Sequence, residues 1–556
     1  MKRMLEKLEP DLQPHTTTRE NADSSNNPKL GGISRSEIRF VALFTLVLCI
    51  VTTVPYVVGH VASFPGTTFD DVLVHSLDTN NYLAYARQAA SGSWVFRNPM
   101  TNEPHRAVFV NLGWLVLGKI ASTLHVSLGL AMGIQRLLCL VLMCAAVYWL
   151  SWFLFESVFI RRCALVATMT GGGFGWIVTL HLLHIPINSS YFFDLSNGNL
   201  FPFYWALKLP HFLVSESFIV LSFCFFLLAE RCRRPWQYAA AGVCYMLAGL
   251  CRPYDMLFLM AATTIFLAFC CWENRGLVPG IALRSLPVTM CVPLLGYYYW
   301  IFKLHPIFHW WSLPGGGAPP ALLLALSFGM SLVLLPIAGW YLLRRPLGNA
   351  ERFLVCCLLT AIVLSHLHYW LHFSFQFATN IYVALIMLLM AGLQRLIIAW
   401  KDRSRAAGAV IVGLLVVNSL TSVALTGQAV VLVKHGDFRT DSELLTAFSW
   451  LDAHSQRDDV TLADFAISNE IPAYTHNIVY CGYLNAVNFD FKMKAMQEFF
   501  GRETSNGFRE QMLRDNQVRF VVLTAAEARD LAPLSGAPFA QEVFRNNAAV
   551  IFKTLL

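Results

Sequence analysis

Three carboxylates stand where the chain leaves its first long apolar segment. Asp70, Asp71 and Asp78 lie in the stretch FDDVLVHSLDTNNYLAYARQAASGSW, which spans residues 69 to 94. A carboxylate at the water-facing mouth of a substrate cavity can accept the proton of an attacking hydroxyl. The alternative for any acid in an exposed loop is that it only contributes to solubility. For Asp78 a second alternative is that it caps the helix that follows. The segment therefore predicts general-base chemistry and leaves the choice among the three acids open.

An amphipathic helix is predicted directly after these acids, at residues 80 to 90. Tyr82 and Ala86 lie on its apolar side, whereas Arg87 and Gln88 lie elsewhere. Such a helix rests on a surface that is half apolar and half polar. We therefore expect this loop to carry the chemistry and the membrane helices to hold the substrate.

Several basic residues lie near the same interface. Arg252 in RPYD, with Lys208 and His211 in KLPHF, lies beside the end of an apolar segment, and Arg106 lies in the first loop. Ionisable groups at such depths are costly and often functional. The structural alternative for Arg252 is a salt bridge with Asp255 or an extension of its side chain towards the interface.

The composition is that of a membrane protein. The chain has 556 residues, of which 56% are hydrophobic and 13% are charged, whereas soluble domains average about 25% charged residues. We expect a polytopic α-helical membrane protein with about eleven transmembrane helices. Lys and Arg cluster on alternate connections, which places the N-terminus in the cytoplasm and the C-terminal part outside. The shortness of these clusters argues against nucleic acid as a partner.

The chain divides into three predicted regions. Residues 1–37 are polar and predict a disordered cytoplasmic tail. Residues 38–432 predict the transmembrane domain, with a first outer loop at 61–130. Residues 433–556 alternate short β-like runs with helical stretches, which predicts a small extracytoplasmic α/β domain. Its strands are expected at 460–465, 478–481, 519–523 and 548–552, and its helices at 441–455 and 491–513.

A glycine cluster interrupts one apolar segment. Gly171–Gly175 reads GGGFG and lies within a span expected near 163–183. The cluster lacks the Lys-Ser/Thr ending and the strand-to-helix context of a phosphate-binding loop. We interpret it as a site of close helix packing or a local break.

Two histidine pairs have the spacing of metal ligands on a helix. His305 and His309 form one pair, and His368 and His372 form the other. Neither has an evident cysteine or glutamate partner, which a protein zinc site normally supplies. No metal ligand is assigned and no cofactor is certain, although a divalent metal stays open.

The first loop resembles that of GT-C glycosyltransferases. The resemblance covers residues 78 to 123. It is similar to the loop of the lipid A aminoarabinose transferases and the protein O-mannosyltransferases. Those families place an acid before an aromatic residue, then an amphipathic helix ending in Gly-x-Trp, a proline turn, and an apolar helix with Gly-Lys. The matching residues are Asp78-Thr-Asn-Asn-Tyr82, Ala86-Arg87, Gly92, Trp94, Asn102-Glu103-Pro104-His105 and Gly118-Lys119.

The resemblance implies an inverting transferase in a plasma (inner) membrane. It would move a sugar from a polyprenyl-phosphate donor to a lipid, glycan or protein acceptor at the outer face. Asp78 would orient or deprotonate the acceptor, and Asp70 with Asp71 is the alternative because Thr79 replaces the family's usual second acid. The substrate- and phosphate-binding candidates are Arg252, Lys208, His211, Arg106 and Tyr82. The alternative functions are a lipid-linked glycan transporter and a polysaccharide polymerase or ligase.

Overall fold

The computed structural model describes most of the chain, in nine segments. These are residues 32–74, 77–177, 193–196, 200–312, 321–367, 370–371, 374–400, 403–530 and 536–556. Residues 41–556 form one compact unit, and residues 1–40 form another. In the described part of the smaller unit, Ser34 Oγ donates to Glu37 Oε2 over 2.7 Å and so caps the start of a helix. Most of the predicted tail lies outside the described residues.

Long apolar helices dominate the described chain and confirm the predicted fold class, a polytopic α-helical membrane protein. Seven are long and apolar enough to cross a membrane, since a span needs about 20 residues. They are Arg35–Val61, Leu128–Leu154, Pro210–Cys232, Pro253–Glu273, Asn349–His366, Ser374–Ala399 and Ser404–Lys434.

Shorter helices lie between these long ones. They are Leu112–Leu124, Val158–Thr170, Pro202–Lys208, Pro235–Cys251, Leu286–Tyr299, Ala321–Ser327 and Gly329–Leu343. A helix rises about 1.5 Å per residue, so even the 17 residues of Pro235–Cys251 fall short of the roughly 30 Å hydrocarbon layer unless a neighbouring segment continues them. Leu286–Tyr299, for instance, continues as a π-helical turn over Trp300–Leu304.

The glycine cluster ends a helix. The span expected near 163–183 is wrong in its bounds, because the helix Val158–Thr170 stops at Gly171, and residues 178–183 lie outside the described part. The backbone amides of Gly173 and Gly175 each donate to the buried Asp194 carboxylate over 2.9 Å. A Cβ on Gly173 would lie 2.2 Å from a backbone oxygen, so both the break and the close packing depend on glycine.

A small α/β domain follows the last long helix. Its strands are β3 (Val460–Leu462), β4 (Ile478–Val479), β5 (Val518–Thr524), β6 (Ala540–Arg545) and β7 (Ala549–Thr554). They form a five-stranded sheet in the order β4-β3-β5-β7-β6, with β3 parallel to β4 and β5 and the other pairs antiparallel. The helices are Ser442–His454, Phe465–Tyr474, Phe489–Phe499, Asn506–Asp515 and Ala525–Asp530. The helix expected at 491–513 is wrong as a single element, because it is divided around Gly501.

The first loop is joined to this domain. Its strand β1 (Thr67–Phe69) pairs antiparallel with β2 (Arg439–Asp441). The helix Leu77–Ala90, here called the first-loop helix, packs between the helix Leu112–Leu124 and the domain helix Phe465–Tyr474. These two contacts explain the amphipathic pattern of the sequence, because the helix buries one face against each neighbour.

Candidate active site

The first-loop helix carries Asp78 and Tyr82 four residues apart, hence on one face. The helix begins at Leu77, so Asp78 belongs to its first turn rather than capping it from outside. An acid is stabilised there by the exposed amides of the helix start. The Asp78 side chain is exposed, and one of its oxygens accepts a short hydrogen bond from the Tyr483 hydroxyl of the C-terminal domain.

Tyr82 connects this acid to the membrane helices. Its ring stacks on Trp114 with centroids 4.2 Å apart and meets the His211 ring edge-on at 4.9 Å. Burial raises the pKa of Tyr82 above its ordinary value, and the Asp78 charge adds to the effect. The Tyr82 hydroxyl therefore stays protonated and able to donate at physiological pH.

Trp114 lies in the first turn of the helix Leu112–Leu124, where the helix cap holds it. Asn111 caps the helix Leu112–Leu124 by accepting from the Trp114 amide over 3.1 Å. The same Asn111 side chain donates to Cys251 O over 2.9 Å, immediately before Arg252. One amide side chain thus sets the distance between the aromatic stack and the arginine.

Arg252 lies in a buried polar network. Its guanidinium donates to Asp255 over 3.1 Å and to Gln376 over 2.8 Å, and its face covers the Phe212 ring at 3.9 Å. Ser215 donates to the same Asp255 oxygen over 2.5 Å. The salt bridge named as the structural alternative is therefore present. Arg252 therefore contacts Phe212, which packs against His211 of the aromatic stack, and protein groups occupy several of its donors.

Lys208 differs from Arg252, because no carboxylate of the described residues pairs with it. Its ammonium lies 5.2 Å from the centre of the Tyr204 ring, and among the described residues it makes no ion pair. Burial lowers the pKa of Lys208 to about 8, because the charged form loses water without gaining a counter-ion. His211, three residues on, packs between Tyr82, Trp114 and its neighbour Phe212.

The other two acids have different partners. Asp71 accepts from His60 Nε2 at 2.5 Å and has a left-handed backbone, with φ of 58°. Asp70 lies half-buried beside β2, where burial raises its pKa to about 6 although Thr440 hydrogen bonds oppose the change. Both acids thus belong to the junction between the first loop and β2, whereas Asp78 faces the aromatic stack.

The remaining cation candidate stands apart. Arg106 is exposed and makes no ion pair or hydrogen bond with the described residues. A phosphate bound to such a side chain would compete with bulk water and salt. The structure thus brings together Asp78, Tyr82, His211 and Arg252. The Lys208 ammonium lies over the Tyr204 ring instead, and Arg106 is outside this group.

The two histidines of the pair that the structure describes form hydrogen bonds with the backbone. His305 Nδ1 accepts from the Ile307 amide over 3.2 Å, and His309 Nδ1 lies 3.0 Å from His305 O. His368 and His372 lie outside the described residues. Within the described segments, no group of three or more His, Cys, Asp or Glu side chains is arranged to hold a metal ion.

Two site residues escape sequence reasoning. Glu216 is buried at 1% exposure within the helix Pro210–Cys232 and lies in the field of Arg252 and Asp255. An acid inside an apolar span is itself a signal of function, so the sequence contained a clue to Glu216. Tyr483 lies in the C-terminal domain, and no local pattern links it to Asp78.

Comparisons with known proteins place the fold. No protein-family model and no curated protein matches the sequence. ArnT from Cupriavidus metallidurans, solved with undecaprenyl phosphate, is similar at 13% identity and a TM-score of 0.53 over 91% of this chain and 97% of that one. The archaeal oligosaccharyltransferase AglB from Archaeoglobus fulgidus was solved with an inhibitory peptide and a dolichol-phosphate. It is similar at 10% identity and a TM-score of 0.52, over 88% of this chain and 70% of that one.

A larger enzyme is similar as well. The arabinofuranosyltransferase AftD from mycobacteria shares 15% identity and a TM-score of 0.57 over 94% of this chain, which spans 40% of that enzyme. All three neighbours are GT-C glycosyltransferases. The chain therefore has a GT-C-like fold, as the first-loop resemblance implied, and is a multi-pass membrane protein.

Proposed function

We propose that this chain is a membrane glycosyltransferase that moves a sugar from a polyprenyl-phosphate carrier to a lipid, glycan or protein acceptor. The observation that carries the proposal is the position of Asp78, exposed on the first-loop helix one turn before Tyr82, whose ring contacts His211, in a chain with a GT-C-like fold. The neighbours solved with undecaprenyl phosphate and with dolichol-phosphate support this class of donor.

In the proposed reaction Asp78 acts as the general base. One of its oxygens accepts from Tyr483, and the carboxylate accepts the proton of the acceptor hydroxyl. The hydroxyl oxygen attacks the anomeric carbon from the side opposite the phosphate, and the bond from that carbon to the phosphate oxygen breaks. The configuration inverts, and the carrier leaves as polyprenyl phosphate with both electrons of the broken bond.

Lys208 is the proposed direct ligand of the phosphate. A buried ammonium without a counter-ion gains most from an anion that replaces its lost water. Arg252 adds a positive field, and its bonds to Asp255 and Gln376 keep it fixed. A fixed charge needs no reorganisation when negative charge develops on the leaving phosphate.

Asp78 is preferred to Asp70 and Asp71 because of what each acid contacts. Asp71 is occupied by His60, and Asp70 lies against β2 in an environment that disfavours its charge. A general base must be ionised and within reach of the acceptor hydroxyl. The proposed location is a plasma membrane, with the N-terminus in the cytoplasm and the C-terminal domain on the outer face.

The experiment uses the full chain in liposomes with undecaprenyl-phosphate-linked sugars, one pentose and one hexose, and measures sugar release or transfer. Asp78→Asn is expected to lower the turnover about 100-fold or more, the usual contribution of a general base. Asp70→Asn and Asp71→Asn are the matched controls and are expected to keep most of the activity. Full activity of Asp78→Asn would move the base to Asp70 or Asp71. Absence of transfer by the wild type, with movement of the carrier across the bilayer, would favour a transporter.

A further inference from the structure

We propose that the C-terminal domain completes the catalytic centre by supplying Tyr483 as the positioning residue of Asp78. The inference rests on the proposed function and deepens it, because it gives the domain a task in the same reaction. Four features carry it: the bond between the two side chains, a clamp at Asn469, a tight turn at Gly482, and the chemistry of an oriented base.

Asn469 holds both sides of the contact. Its Nδ2 group donates to Leu77 O over 3.2 Å and to Gly482 O over 2.9 Å. Its Oδ1 atom accepts from Asn80 Nδ2 over 2.9 Å. The side chain is 1% exposed, so these three bonds are shielded from water and costly to break. A single buried amide therefore ties the start of the first-loop helix to the residue before Tyr483.

The backbone before Tyr483 has little room to move. The Gly482 amide donates to Met100 O over 3.1 Å, which joins this turn to the first loop a second time. A Cβ on Gly482 would lie 2.6 Å from the Val479 side chain and 2.7 Å from Ser468 O. The packing therefore fixes the direction in which the Tyr483 side chain leaves the domain.

The chemistry explains why a tyrosine suits this position. Burial, and after it the negative charge of Asp78, raises the pKa of the Tyr483 hydroxyl above its ordinary value. The hydroxyl consequently keeps its proton and remains a donor across physiological pH. A donor to one carboxylate oxygen favours the ionised acid and fixes its orientation, as the third group does in a catalytic triad. The exposed side of Asp78 is then directed at the acceptor.

The competing interpretation is purely structural. In that case Tyr483 would only help to hold the first-loop helix, as Asn469 does, and the orientation of the carboxylate would not matter. The two interpretations differ in what the loss of a single hydroxyl changes. A positioning residue changes turnover and its pH profile, whereas a clamp changes the mobility of the helix.

The test compares four forms of the full chain in liposomes with undecaprenyl-phosphate-linked sugars. Tyr483→Phe removes only the hydroxyl, and Asn469→Ala removes the clamp. Tyr480→Phe is the matched control, since Tyr480 is also a buried tyrosine of the domain and its hydroxyl makes no hydrogen bond with the described residues. Turnover is measured from pH 5 to 9, and amide hydrogen exchange reports on residues 77–90.

Tyr483→Phe is expected to lower the turnover about 10- to 100-fold, the usual effect of losing a hydrogen bond to a charged group. The pH profile of the turnover changes as well, because the reacting carboxylate has lost the hydrogen bond from the Tyr483 hydroxyl. Exchange over residues 77–90 stays at the wild-type rate, whereas Asn469→Ala accelerates it. Tyr480→Phe matches the wild type in every measurement.

Two results would overturn the inference while leaving the proposed function intact. The first is wild-type turnover and pH profile in Tyr483→Phe. The second is a loss of turnover with an unchanged pH profile and the faster exchange seen in Asn469→Ala, which would make Tyr483 a clamp. Failure of the wild type to use any polyprenyl-phosphate sugar would overturn the proposed function instead, so the two failures are distinguishable.

Discussion

Removal of the Lys208 charge gives a direct test of phosphate binding. Lys208→Met keeps most of the apolar stem and deletes the ammonium, which lies 5.2 Å from the centre of the Tyr204 ring. A hydrogen bond to a charged group contributes about 1.5–3 kcal/mol, which is roughly a 10- to 150-fold change in dissociation constant. We expect undecaprenyl phosphate to bind the variant more weakly by that factor at pH 7.

The pH dependence sharpens this test. The pKa of Lys208 is lowered to about 8 in the folded protein, so its charged fraction falls about tenfold per pH unit above that value. A phosphate monoester has its second pKa near 6, so the ligand does not titrate between pH 8 and 10. Protonation and phosphate binding favour each other by linkage. Affinity therefore falls about twofold from pH 7 to 8 and more steeply at higher pH.

The assay is a titration of undecaprenyl phosphate into the full chain in nanodiscs of neutral lipid at pH 7, 8, 9 and 10. Lys208→Arg keeps its charge over this range and is expected to show a flatter profile. Lys494→Met is the control for loss of an exposed charge and is expected to bind like the wild type. Wild-type affinity in Lys208→Met, or an affinity that does not change above pH 8, would refute the reasoning.

Two further predictions concern stability, measured by thermal unfolding in detergent. Arg252→Met leaves Asp255 buried without its cation, so the free energy of unfolding is expected to fall by about 3–5 kcal/mol. The double variant Arg252→Met with Asp255→Leu is expected to recover much of this loss. An unchanged melting temperature in the single variant would contradict this prediction. Burial raises the pKa of Glu470 to about 7, with a further contribution from the charge of Asp70. The folded state therefore binds protons more tightly than the unfolded chain, and stability falls as the pH rises from about 4 to 7. Glu470→Gln is expected to stabilise the protein by roughly 1–2 kcal/mol at pH 8 and less at pH 5; equal effects at both pH values would argue against this origin.

Local spacing in the sequence accounts for part of the candidate site. Asp78 and Tyr82 are four residues apart in an amphipathic stretch, and the structure has a helix there. Arg252 and Asp255 are three residues apart, and their salt bridge was foreseeable from the RPYD motif. Patterns of this kind are visible because helix geometry brings near neighbours in sequence to one face.

The rest depends on contacts between distant parts of the chain. Tyr483 and Asn469 approach the first-loop helix only because the C-terminal domain docks there, through β1 pairing with β2. No periodicity encodes such docking. The end of the helix Val158–Thr170 had a local signal in the glycines after it, but its cause includes Asp194, whose approach no nearby residue predicts.

The hydrogen bond between Asp78 and Tyr483 also has a consequence for biosynthesis, because it joins residues 405 positions apart. Ribosomes add about 5–20 residues per second, so roughly 20 to 80 s pass between synthesis of the acid and synthesis of its partner. During that interval the nascent chain already displays its first loop, but the proposed base lacks the group that orients it. A chain released before Tyr483 is synthesised would therefore carry the proposed base without its orienting hydroxyl, and only the complete chain has both partners of this hydrogen bond.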